Sequence, residues 1–340
     1  MAFEGFPFII GLEITLACNL ACRHCASSAT TQPRPDELTL GELIGICDQF
    51  PDLFVQEVDI TGGEPLLRPE WYDVTTHLKS LGIPVRMVSN GLLLRQNALK
   101  LAQSGIATVG VSLDGLEQTH DELRQRPGLF RRIIDGIRAA LDAGVPVAAI
   151  TAVNDRNIGE LPELERFLLS IGIEHWQVQP TFALGRARDG GLRLSEDTFI
   201  KLGQFVHERH GPGTATRINL VPADGVGYYT HLDTRSCSWL GCSAGRSSCG
   251  ITSNGGVKGC LSLPDTCVEG NLRDRELWDI WFDDRSFPST RQFTADMLGE
   301  HCQSCSHGLE CKGGCGVMSF ASTGAFHNDP YCFHRLLGGR

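Results

Sequence analysis

FIIGLEITLACNLACRHC, residues 8 to 25, joins a strand-length apolar run directly to three closely spaced cysteines. The run is rich in β-branched and bulky apolar residues, the composition of a buried strand. Glu13 interrupts it and no basic segment leads it, so a secretory signal peptide is not the reading. Cys18, Cys22 and Cys25 then fall on the loop leaving that strand.

The same unit recurs. Strand candidates lie at 8–15, 55–60, 83–89, 107–113, 145–153 and 174–180. Helical patterns separate or follow them at 39–50, 70–81, 95–104, 130–143, 159–170 and 195–209. Six strand-then-helix units predict an α/β fold, a partial (β/α)6 TIM barrel with parallel strands and right-handed crossovers. Six units rather than eight leave the barrel partly open, with its site at the C-terminal strand ends. Beyond about residue 210 the texture changes to glycine and cysteine without regular periodicity. The expected division is a barrel at 1–215, a connector at 216–241 and a small irregular α+β domain at 242–340. Within the last, CGITSNGGVKGC (249–260) predicts a hairpin turning at Asn254-Gly255, and 276–284 a short helix.

The 340 residues are 41% apolar and 21% charged, the balance of a globular protein. A net charge of −10 argues against nucleic acid as a partner. No run approaches the roughly 18 apolar residues of a membrane span, and a cytoplasmic location is expected. In a reducing compartment, 14 cysteines in groups suggest metal ligands more than disulfides. Three thiolates on one loop can hold three corners of a [4Fe–4S] cube and leave one iron open. Zinc is the alternative there, although a structural zinc site wants four closed ligands.

The C-x3-C-x2-C spacing of Cys18, Cys22 and Cys25 resembles the signature of the radical S-adenosylmethionine (SAM) superfamily, with His24 in its aromatic place. That resemblance implies that the open iron chelates SAM, and that reductive cleavage yields a 5′-deoxyadenosyl radical which abstracts a substrate hydrogen. It places His24 against the adenine. Thr61-Gly62-Gly63-Glu64-Pro65 resembles the family's GGEP motif, implying that Gly62, Gly63 and Glu64 hold the SAM amino group. Ser89-Asn90 ends the third strand and Ser112-Leu113-Asp114-Gly115 the fourth, again as in relatives. By that likeness Ser112 and a downstream arginine, Arg124, reach the SAM ribose or carboxylate, although Arg124 reads equally as a solvated helix charge. Asn154 and Arg186 are further candidates for the SAM site.

Cys242, Cys260, Cys302, Cys305, Cys311, Cys315 and Cys332 are spaced as in the SPASM domain of such enzymes. The resemblance implies two auxiliary [4Fe–4S] clusters, three in all: Cys242, Cys249, Cys260 and Cys315 on one, Cys302, Cys305, Cys311 and Cys332 on the other. Cys237 is an alternative ligand to Cys249, a hydrogen-atom donor, or a bystander; Cys47 and Cys267 read as inert thiols. The implied activity is crosslinking, oxidation or epimerisation of a ribosomally made peptide. The implied partners are that peptide, a separate leader-binding protein and an electron donor such as flavodoxin or ferredoxin. With seven residues before the first strand and eight after Cys332, a fused leader-binding domain is not expected. Oxidation of a small molecule or of a tetrapyrrole side chain is the second enzymatic reading, and a zinc-stabilised binding scaffold the non-enzymatic one.

Overall fold

The computed structural model describes residues 5–192, 194–210, 218–223, 225–226 and 241–338. Seven strands lie side by side in chain order, all parallel: β1 (Ile9–Thr15), β2 (Glu57–Gly62), β3 (Val85–Ser89), β4 (Thr108–Ser112), β5 (Val147–Val153), β6 (His175–Pro180) and β7 (Asn219–Pro222). Helices α1 (Leu40–Cys47), α2 (Trp71–Ser80), α3 (Leu94–Ser104), α4 (Glu117–Arg124), α5 (Leu129–Asp142) and α6 (Leu161–Ser170) connect the first six, followed by α7 (Arg186–Asp189) and α8 (Glu196–His210). This is the open, partial TIM-barrel-like arrangement that the periodicity predicts.

The local chemistry is consistent with each element. Ile10, Leu12 and Ile14 of β1 are fully buried, and so is the opposing row of Val58 and Ile60 on β2. Burying each such side chain is worth about 1.5–3 kcal/mol. A capping box starts α1: the Thr39 hydroxyl accepts from the Glu42 amide at 3.3 Å while the Glu42 carboxylate accepts from the Thr39 amide at 2.7 Å. Helix α5 turns Ile133, Ile134, Ile137 and Ala140 into the core, as 3.6-residue spacing requires.

Two features depart from expectation. Asn219–Pro222, inside the stretch expected to be a connector, is a seventh parallel strand in register with His175–Val178 of β6. Four residues ending in proline are too short for a period to show. Residues 117–124, absent from the expected helices, form α4, which carries Arg124 into the interior.

The C-terminal region continues the same sheet. The hairpin of β8 (Ser248–Ile251) and β9 (Gly256–Lys258) turns at Asn254-Gly255, as predicted, and β10 (Gly270–Asn271) pairs with β9. Strand β8 pairs parallel with β1, Ile9 opposite Ser248 through Leu12 opposite Ile251. The full order is β10-β9-β8-β1-β2-β3-β4-β5-β6-β7. Helix α9 (Leu277–Trp281) fills part of the predicted 276–284 segment and buries Leu277, Ile280 and Trp281. Among the described residues no helix is long and apolar enough to cross a membrane.

Candidate active site

The cysteine loop is held by its neighbours' backbones. Cys18 donates its amide to the Thr30 carbonyl at 2.6 Å. Arg186, at the start of α7, reaches back with Nε to the Cys22 carbonyl at 2.9 Å and with Nη1 to the Ala29 carbonyl at 2.7 Å. Arg186 thus lines the site while its guanidinium fixes the loop. The Gly62-Gly63 turn leaves β2 at a φ of 148° and packs directly on the β1–loop junction. A Cβ at Gly62 would overlap the Thr15 carbonyl, and one at Gly63 the Leu16 and Ala17 carbonyls. The two glycines therefore serve first a backbone-on-backbone approach, in which Gly63 and Glu64 donate amides to Thr15 and Ala17 at 2.8 and 2.9 Å.

Glu64 is tied into the scaffold beside the cavity. Its side chain is fully buried and outside the cavity lining, and it accepts from the Leu66 amide (3.1 Å), the Ser89 hydroxyl (2.9 Å) and the Asn90 amide (2.7 Å). Burial pushes its carboxyl up to about 7 against the pull of those donors. Glu64 ties β2 to β3 and aims Asn90, whose Nδ2 lies 3.7 Å from Cys18 Sγ and 2.8 Å from the Asn19 carbonyl oxygen of its side chain.

Asp114 is the hub on the other strand end. Burial alone would raise its carboxyl, yet Arg124 and His24 hold it well below the usual carboxylate range. Arg124 donates from Nε and Nη2 to Oδ2, both at 2.7 Å, and His24 Nε2 stands 3.1 Å from the same oxygen. The Ala152 amide donates to Oδ1 at 2.9 Å. His120, pushed down to about 3 by burial, is neutral and accepts the Asp114 amide on Nδ1 at 3.2 Å. Arg124 is only 6% exposed, so the solvated-charge alternative fails; its Nη1 points at Cys22 Sγ, 3.8 Å away. Ser89, Asn90, Ser112, Asp114, Arg124 and His24 all line one cavity, whereas Asn154 does not. Asn154 instead shapes the turn after β5, accepting from the Arg156 amide at 3.0 Å and donating to the Ala152 carbonyl at 3.2 Å.

The later cysteines divide into two groups. Cys315 is buried and feels Cys242 and Cys260; Cys311 and Cys302 feel Cys332, and Cys332 feels Cys305. Within the run at 302–315 the cysteine neighbours of Cys315 thus differ from those of Cys302 and Cys311. Burial pushes Cys302 up to about 11, and the buried Asp329 carboxylate raises Cys302, Cys311, Cys315 and Cys332 further. Cys249 does not join them. It is 2% exposed on β8, and its charged neighbour is Arg291 rather than another described cysteine. Cys237 lies outside the described residues.

The cavity bounded by Cys18, Cys22 and Cys25 has a volume of about 540 Å³. Its donor set fits an iron–sulfur cluster with a bound cofactor: three thiols, N–H donors aimed at two of the sulfurs, and a buried His24 Nδ1 with no hydrogen-bond partner among the described residues. Among those residues no three Cys, His or carboxylate groups converge closely enough for a single ion, where zinc would need each sulfur about 2.3 Å away.

Residues 12–168 match the family model of the radical SAM superfamily, and residues 242–306 match that of an iron–sulfur cluster-binding (SPASM) domain. The chain belongs to the radical SAM superfamily. It is an enzyme of the SPASM type, and the zinc-scaffold alternative falls with that assignment. Among curated relatives, the AdoMet-dependent heme synthase of Oleidesulfovibrio alaskensis is 28% identical, over 98% of this chain and 89% of its own. The mycofactocin maturase MftC of Mycobacterium ulcerans is 27% identical, over 92% of this chain and 84% of its own. Streptococcus suis SuiB, solved with S-adenosylmethionine, shares the fold with a TM-score of 0.77 at 21% identity, covering 96% of this chain and 77% of SuiB. Composition and spacing do not single out four further residues of this radical SAM cavity, Glu13, Arg34, Lys258 and Asp265. They come together only through the β1–β8 pairing.

Proposed function

We propose that this enzyme abstracts a hydrogen atom from a ribosomally made peptide and so crosslinks, oxidises or epimerises it. The supporting observation is the size of the cavity, about 540 Å³. That is the scale of one drug-sized ligand, so with SAM inside, the remaining space suits a single side chain while the body of the substrate stays outside. A peptide presents such side chains one at a time.

Cys18, Cys22 and Cys25 would hold the [4Fe–4S] cluster, with SAM beside it in the space lined by His24, Gly62, Gly63, Ser112 and Asp114. When bound, cluster and SAM supply one-electron reduction and hydrogen-atom abstraction. Asn90 and Arg124 place N–H groups on two of the sulfurs and favour their thiolate forms. Asp114 fixes Arg124 and His24 in their orientations. Phe182, Leu184, Leu261 and Leu263 give the wall apolar patches that keep water from the reacting centre. Two auxiliary clusters, on the Cys242–Cys260–Cys315 group and the Cys302–Cys305–Cys311–Cys332 group, would carry an electron away from the substrate. Cys237 is the candidate to complete the first group. A flavodoxin or ferredoxin would supply electrons, and a separate protein would present the peptide leader.

Modification of a tetrapyrrole side chain is the second reading, favoured by the match to heme synthases over 98% of the chain. The test is anaerobic incubation of the reconstituted enzyme, SAM and a reductant with any short peptide found to be encoded beside its gene, and in parallel with a propionate-bearing tetrapyrrole. Mass spectrometry of both substrates decides. A mass change in the peptide alone supports the proposal; a change in the tetrapyrrole alone replaces it. Three clusters predict about 12 iron atoms per chain.

A further inference from the structure

A buried and a partly buried cation in this cavity share one exposed carboxylate. Lys258, on β9, is 2% exposed. Its ammonium donates to the carbonyls of Leu263 (2.7 Å) and Leu261 (3.2 Å) and to Asp265 Oδ1 (3.2 Å). Arg34, in the loop after the cysteines, donates from Nη1 to Asp265 Oδ2 at 2.6 Å. Its Nε and Nη2 are taken by Glu13, at 2.6 and 3.3 Å.

The two carboxylates are held differently. Glu13 is built in: its side chain is 7% exposed and also accepts from the Ser253 amide and hydroxyl, at 3.1 and 2.9 Å. Asp265 sits on a single 3-10 turn with its side chain 57% exposed, and its carboxylate accepts from Arg34 and Lys258. A buried ammonium is costly without a matching anion, so Lys258 needs a carboxylate there, but not that particular one. Replacing Asp265 by another carboxylate leaves the charge balance unchanged, and Asp265 is already largely solvated.

We infer that Arg34 and Lys258 form a carboxylate-binding subsite of the substrate cavity, which Asp265 fills until a substrate carboxylate displaces it. The inference rests on the proposed assignment of this cavity to substrate. A peptide C-terminus or acidic side chain would bring such a group, and so would a tetrapyrrole propionate. Charge-assisted bonds to one new carboxylate, offset by the loss of Asp265, favour an acid over its neutral form by about tenfold.

The experiment is fluorescence binding to the reconstituted, SAM-loaded enzyme. The probes are fluorescein-labelled pentapeptide pools with free or amidated C-termini, and coproporphyrin with its tetramethyl ester. The expected result is that one acid binds about tenfold more tightly than its neutral partner, and that Asp265→Asn widens the ratio about tenfold again by removing the internal competitor. Lys258→Met should erase the preference, bringing the ratio of acid to neutral binding to about one. A preference confined to the porphyrin upholds the subsite and overturns the peptide proposal. No acid preference in either probe set, in wild type and in Asp265→Asn alike, overturns the subsite.

Discussion

Burial raises the thiols of both sets of cysteines, and the two sets differ in the groups that oppose it. At the barrel mouth, Cys18 and Cys22 face an amide and a guanidinium, Asn90 and Arg124, across a cavity that admits a ligand. In the C-terminal region a buried carboxylate, Asp329, raises Cys302, Cys311, Cys315 and Cys332, and neighbouring cysteines raise each of them further. A cluster's potential follows its net charge, the hydrogen bonds to its sulfurs and its exposure. The first environment is suited to a reactive cluster with an open corner. The second is enclosed, and is suited to clusters that only take and pass electrons.

The largest expected effect separates those roles. Cys18→Ala should reduce SAM cleavage more than about 10³-fold, a barrier change of roughly 4 kcal/mol. Cys242→Ala and Cys260→Ala should keep SAM cleavage and lose modified product. Both quantities are read from one anaerobic assay by chromatography of 5′-deoxyadenosine and mass spectrometry of the peptide. Full product from Cys242→Ala would remove the electron-relay role from that group.

Next comes the hub that gives the barrel site its cation. Asp114→Asn leaves Arg124 buried without its counter-charge, and breaking such a pair costs about 3–5 kcal/mol. Chemical denaturation should show that loss, together with weaker iron retention, since Arg124 would no longer be held toward Cys22. An unchanged midpoint would mean that His24 and Arg124 are positioned without it.

Glu64 provides a pH signature. Its folded value of about 7 lies above the ordinary 4.5, so the folded state holds more protons between those two values. Stability from this group is complete below about pH 4.5 and is lost as pH rises through 7. The gap corresponds to about 3 kcal/mol. Wild type should therefore lose that much relative to Glu64→Gln between pH 4.5 and 7.5 in parallel denaturation series, and parallel curves would show that the three donors keep the carboxylate ionised throughout.

The two regions also differ in how far their residues reveal them. The six strand-and-helix units are legible because each apolar run is long enough for its period to show, and the loop cysteines are legible because they are neighbours in sequence. The two-way division of Cys302–Cys315 is visible only as a family spacing; in the structure Cys315 feels Cys242 and Cys260, and Cys332 feels Cys305. By contrast, β7 is too short, and the pairing of β8 with β1 joins segments some 240 residues apart. The Arg34–Asp265 contact spans 231 residues; ordinary surface charges have the same sequence signature. Glu64 is legible as a motif, but its bonds to Leu66, Ser89 and Asn90 are not, because motif likeness does not say which way a carboxylate points.

The smallest expected effect concerns Cys249, where spacing and packing disagree. It lies between Cys242 and Cys260 in sequence, so proximity along the chain nominates it as a ligand. On β8, however, successive side chains point to opposite faces, and Cys249 is packed among core residues opposite Ile10 of β1, with burial pushing its thiol up to about 12. A buried thiol packed among apolar side chains is a small apolar filler. Cys249→Ala should therefore cost about 1–2 kcal/mol through the space it vacates, with iron content and SAM cleavage as in wild type, whereas Cys260→Ala should lose iron. If Cys249→Ala instead lost a cluster's worth of iron, the boundary between the sheet and the cluster-binding region would have to be drawn on the other side of β8.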